Sequence, residues 1–93
     1  METKIETGQV WSIKNDKGKV LIFDLDKKRE IVHFAYLKNG EIIIYHIPIT
    51  YNLFLKSIVK YLDNDEITQD FFDAKKVWEK HSGGVWDIEI KKL

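Results

Sequence analysis

Between Val10 and Ile49 the chain carries four short segments rich in Val, Ile, Phe, Tyr and Trp, in which apolar residues fail to alternate with polar ones. A strand on a half-solvated sheet alternates, because successive side chains point to opposite faces. Segments that are apolar on both sides need cover on both sides. That requirement constrains the architecture more than any other property of the chain.

Polar turns separate the four segments at the spacing of an antiparallel meander. The clearest is Asn39-Gly40, since a type I′ turn needs positive φ at both central residues. Lys38 then faces Glu41, and continuing this register sets Phe34 opposite Tyr45, Ala35 opposite Ile44 and His33 opposite His46. The turn Asp26-Lys27-Lys28-Arg29 pairs Leu25 with Glu30, hence Phe23 with Val32 and Ile22 with His33. Asn15-Asp16-Lys17-Gly18 has the composition of a type I turn closed by a left-handed glycine, which pairs Lys14 with Lys19 and Trp11 with Ile22. One face then carries the row Trp11, Ile22, His33 and His46, and the other Val10, Phe23, Val32 and Ile47.

The cover comes from the second half. Tyr51, Phe54, Leu55, Ile58 and Leu62 fall at helical spacing after Thr50, a candidate N-cap. Phe71, Ala74 and Trp78 form a second helical stripe between a Thr68 cap and a Gly83-Gly84 stop. In Val85 to Ile90, Trp86, Ile88 and Ile90 alternate with Asp87 and Glu89, the pattern of a half-buried edge strand. The predicted fold class is α+β: a curled antiparallel meander of four strands plus a C-terminal strand, with two helices packed on one face. Curling into a partial barrel would hide the other face. With 93 residues the chain makes a single domain over residues 1–93.

Fifteen Lys and Arg balance fifteen Asp and Glu, so no net field draws the chain onto nucleic acid or an anionic membrane. Cysteine is absent, which excludes disulfides, thiolate nucleophiles and Cys-based metal sites. No apolar run reaches the roughly 18 residues of a membrane span, and Met1 to Glu6 lacks the apolar stretch of a signal peptide, so the expected location is cytoplasmic.

Several motifs invite chemistry. Val20 to Asp26 is similar to the first motif of haloacid-dehalogenase-type phosphatases, an apolar strand ending in D-x-D. Lys27 and Lys28 stand where that family has Gly-Thr, and its parallel sheet is about twice this length. Asp63-Asn64-Asp65 opens like a calcium loop, but Thr68 and Ala74 occupy the positions where an EF-hand needs Gly and Glu. His33 and His46, as direct cross-strand neighbours about 4.5 Å apart at Cα, are candidate metal ligands. A zinc site needs three or four protein ligands, and only Asp24 or His81 is left to complete one. The pair reads instead as structural or pH-sensitive. If both rings are buried and neutral, acid should destabilise the fold. Gly83-Gly84 follows a helix, whereas phosphate loops precede one. Ser82 beside His81 lacks the elbow of a nucleophilic serine. No catalytic residue and no cofactor is nominated.

Two binding surfaces remain. Asp63, Asp65, Glu66, Asp70 and Asp73 form a stretch without Lys or Arg that could steer a basic partner. Phe34, Tyr36 and Tyr45 on one sheet face would make a stacking platform for single-stranded nucleic acid, a second reading that the balanced charge opposes.

His46-Ile47-Pro48-Ile49-Thr50, then Phe54, Ser57-Ile58 and Trp78, and finally Gly83-Gly84-Val85-Trp86-Asp87-Ile88 resemble a group of small bacterial proteins of uncharacterised function. The resemblance covers roughly the second half of the chain, with Trp86 where the group has Phe, and implies a strand, helix and strand order without any chemistry. Size and lack of cysteine are also shared with small immunity proteins of bacterial toxin systems. The sequence thus leads to a non-enzymatic bacterial module that binds another protein, or a second copy of itself, through a sheet edge or the acidic stretch.

Overall fold

The computed structural model describes residues 4–14, 16–81, 83–86 and 90. Its elements in order are β1 (Gln9–Ile13), β2 (Lys19–Asp26), β3 (Ile31–Lys38), β4 (Glu41–Thr50), α1 (Tyr51–Ser57), β5 (Ile58–Asn64) and α2 (Gln69–Lys80). The five strands form one antiparallel sheet in the order β4-β3-β2-β1-β5. The class is α+β as expected, but the sheet is open, with β4 and β5 at its edges, and does not close into a barrel. Among the described residues, no helix is long and apolar enough to cross a membrane.

The Asn39-Gly40 turn forms as predicted, with φ of 54° and 78°, and Lys38 pairs with Glu41. Beyond it the expected register fails. Shifts on either side of Tyr36 leave Phe34 opposite Ile47 and His33 opposite Pro48, not Tyr45 and His46. In the next ladder Leu25 faces Val32 and Asp24 faces His33, and a shift at Phe23 then sets Ile22 opposite Phe34. The Asp26 carboxylate accepts from the Arg29 amide at 3.1 Å and Glu30 takes φ 58°, which makes a four-residue loop between Asp26 and Ile31. Between β1 and β2, Ser12 faces Lys19 and Trp11 faces Val20, and the Lys14 amide donates to the Ser57 carbonyl on the other side of β1. Each extra residue in a strand reverses the faces of those beyond it, so the two predicted rows are mixed.

Gly18 is not in the left-handed region expected of it. Its requirement is space: a Cβ there would overlap the Tyr36 ring. The Tyr36 hydroxyl donates to Asp16 Oδ1 at 2.7 Å, and the Gly18 amide donates to the same oxygen at 2.6 Å.

The helices divide between the two faces instead of sharing one. On the first, Val20, Ile22, Val32, Phe34, Tyr36, Ile47 and Ile49 pack with Phe54 of α1, whose ring lies 5.5 Å from that of Phe34. On the second, Val10, Leu21, Phe23 and Ala35 pack with Phe71 of α2. Both Thr50 and Thr68 sit at the N-cap positions, but neither side chain makes a capping hydrogen bond.

The helix expected to run on to Leu62 stops at Ser57, and Ile58–Asn64 becomes a strand. Ile58, Val59 and Tyr61 favour extended backbone, and β1 would otherwise present an unpaired edge; tertiary pairing overrides the helical spacing. Ser57 fixes the switch, donating to the Leu53 carbonyl at 2.7 Å and accepting from the Ile90 amide at 2.9 Å. The predicted strand from Val85 to Ile90 lies partly outside the described residues. Within them, Trp86 makes a parallel bridge to Ile49 and donates its amide to the Pro48 carbonyl at 3.0 Å, so it covers one end of the β4 edge.

Candidate functional site

The most elaborate side-chain arrangement lies under α2. The bulge at Phe23 and the irregular pairing of β4 turn Phe23, His33, Tyr45 and His46 toward this helix. The histidines are therefore not direct cross-strand partners. They meet diagonally, because His46 stands two residues before Pro48, the true partner of His33, on the same side of the strand. Their rings stack 5.1 Å apart, and His33 Nδ1 lies 2.8 Å from His46 Nε2, one ring donating and the other accepting.

Aromatic rings enclose the pair. Trp78 of α2 sits 5.2 Å from His33 and 5.1 Å from His46, edge to face with both. Phe23 lies 5.7 Å from His46 and is itself stacked on Phe71 and met edge-on by Phe72, each at 5.4 Å. His33 is only 1% exposed, while His46 is half-buried. Beside them Lys75 Nζ approaches Asp24 Oδ2 at 2.6 Å and Glu79 Oε1 at 3.6 Å. Burial lowers the pKa of His33, assisted by the Lys75 charge, although Asp24, Asp26 and Glu79 pull it upward. Burial lowers His46 further, to about 4, with the His33 and Lys75 charges adding to the effect. Lys75 is raised, because its bonds to Asp24 and Glu79 outweigh its own desolvation.

This geometry suits a neutral imidazole pair better than a metal centre. The facing nitrogens are engaged with each other, Asp24 is held by Lys75, and His81 is exposed at the C-cap of α2. Among the described residues, no group of three or more His, Asp or Glu side chains could hold a metal ion.

The D-x-D letters have local roles in an antiparallel strand. Asp24 Oδ1 accepts from the Leu25 amide and its other oxygen pairs with Lys75, while Asp26 holds the turn through the Arg29 amide and guanidinium. Asp63-Asn64-Asp65 is likewise local: Asp63 and Asp65 each accept from the next amide, and Asn64 accepts from the Tyr61 hydroxyl at 2.6 Å. Gly83, with φ 59°, ends α2 by donating its amide to the Trp78 carbonyl, as a helix stop does.

The nucleic-acid platform does not form. Phe34 and Tyr36 are buried in the core under α1, and Tyr45 lies on the other face against Phe71. Asp63, Asp65, Glu66, Asp70 and Asp73 are all exposed, along the end of β5 and the start of α2. Next to them stands an unforeseen concavity of about 540 Å³, lined by Lys17, Lys19, Leu37 and Lys38 on one side, by Leu62, Asp63, Asn64 and Asp65 on the other, and by Val10 of β1 between. Finding it required the β1-β5 pairing, which the helical spacing through Leu62 concealed.

The outer side of β5 carries no strand among the described residues, and Val59, Tyr61 and Leu62 on it are 61%, 46% and 39% exposed. No protein-family model, no curated protein and no solved structure matches this chain.

Proposed function

We propose that the chain is a non-catalytic bacterial interaction module, working in the cytoplasm, that takes an extended segment of another protein alongside β5. The single observation that carries this reading is the outer edge of β5, which no strand covers among the described residues, with its exposed Val59, Tyr61 and Leu62. An unpaired strand offers amides and carbonyls to an incoming chain, and the apolar side chains add area to bury. Natural sheets shield such edges, as Trp86 does at one end of β4; on β5 the only side-chain charges are those of Lys60 and Asp63. The neighbouring carboxylates of Asp63, Asp65, Glu66, Asp70 and Asp73 would steer a partner segment bearing Lys or Arg, and make capture sensitive to salt.

The test compares wild type with the Val59→Lys, Leu62→Lys double variant as baits in a bacterial lysate, after thermal melting has shown both folded. The expected result is a partner retained by wild type, weakened by added salt and lost from the double variant. Equal retention by both, or retention by neither, refutes the reading.

A further inference from the structure

We propose that the His33–His46 pair is a proton-operated latch that holds α2 against the sheet at neutral pH and releases it in acid. The latch follows from the hydrogen bond itself. A bond of 2.8 Å between two ring nitrogens needs one N–H and one lone pair between the rings, so it survives a single added proton on an outward-facing nitrogen but not protonation of both rings. Two imidazolium rings would point N–H at N–H and bring two positive charges together beneath α2.

The groups around the pair decide how the second proton is received. From α2, Lys75 opposes it and Glu79 favours it; from β2, Asp24 and Asp26 favour it; from β3 and β4, each histidine opposes charge on the other. Two of the three helpful carboxylates, Asp24 and Glu79, are already occupied by Lys75. Burial tips the balance toward the neutral form. Since folded-state affinity for protons lies below that of the unfolded chain, whose histidines titrate near 6.5, the contribution is complete above that value. It is lost as pH falls toward about 4.

The response is directed at α2 because Trp78, edge to face with both rings, belongs to that helix, as do Phe71 and Phe72 on Phe23. The α1 face has its own core around Phe34 and Phe54, which contains neither histidine. The irregular residues 65–68 are exposed except for Ile67, which packs against the Phe23 and Phe71 core, so α2 can swing away on this connection without pulling the sheet apart. Release would uncover Phe23 and Phe71, both buried at neutral pH.

Residue-resolved amide hydrogen exchange tests this, corrected for the intrinsic pH dependence of exchange. Between about pH 7.5 and about pH 4.5, opening of α2 should rise on the order of tenfold or more, given a tenfold change per proton per pH unit, while α1 and the β2-β3 ladder change far less. His46→Gln, which keeps a hydrogen-bonding group but cannot charge, should lose most of that rise. Direct NMR titration of the wild-type rings, independent of any variant's folding, should place both below the ordinary histidine range. The proposal is overturned by α2 protection that stays flat with pH, by equal loss across the sheet, by an unchanged response in His46→Gln, or by rings that titrate normally.

Discussion

Tyr36 gives the sharpest energetic expectation. Its ring is 1% exposed and its hydroxyl donates to Asp16 Oδ1 at 2.7 Å, so ionisation would require a buried phenolate against a carboxylate. Burial first, then the Asp16 bond and charge, raise its pKa from 10.0 to about 12. The sign is fixed: a group whose folded value is raised lends stability that is complete below the unfolded pKa and disappears as pH climbs toward the folded one. A separation of about two units corresponds to roughly 2 to 3 kcal/mol lost between about pH 9 and pH 12. Tyr36→Phe removes that dependence and also the hydrogen bond, at about 1 to 2 kcal/mol in neutral solution. The variant should therefore be less stable than wild type at about pH 8 and level with it, or more stable, at about pH 12. Urea unfolding midpoints of both proteins across this range provide the assay, and subtracting one from the other cancels the lysines and the remaining tyrosines. A stability difference independent of pH would refute the reasoning.

The other expectations concern the helix on each face. Phe71→Ala should cost about 3 to 5 kcal/mol, since the ring is 2% exposed and stacked on Phe23, and thermal or urea unfolding should register a large part of the roughly 5 to 14 kcal/mol total stability usual for a chain of this length. Ser57→Ala should cost about 1 to 3 kcal/mol, because the fully buried hydroxyl is the acceptor for the Ile90 amide; a denaturant midpoint equal to wild type would show that this bond does not secure the chain end.

How much of this was legible in the sequence depended on whether the signal was local. The Asn39-Gly40 turn and the extent of α2 could be read because φ requirements and helical stripes act over a few residues. Apolar character on both faces correctly demanded cover on both. What failed was register: bulges at Phe23 and around Tyr36 depend on how neighbouring strands pack, and each one reversed the faces of the residues beyond it. The two histidines were expected to meet and do meet, but along a diagonal that the turn-based count did not produce. The change from helix to strand at Ser57 was hidden because Ile58 and Leu62 fit a helical stripe, while the need of β1 for a neighbour lies more than forty residues away. The aromatic enclosure of the histidines by Phe71, Phe72 and Trp78 likewise depended on which face α2 would choose.

Placing β5 beside β1 has a consequence for how the molecule is assembled. The β1, β2, β3 and β4 ribbon joins by short turns and can zip as soon as its own residues are available, whereas the outer edge of β1 must wait for a strand from the far side of α1. Closing so long a loop is slow relative to hairpin formation. During synthesis, then, the outer flank of β1 lacks its β5 partner until Asn64 has left the ribosome.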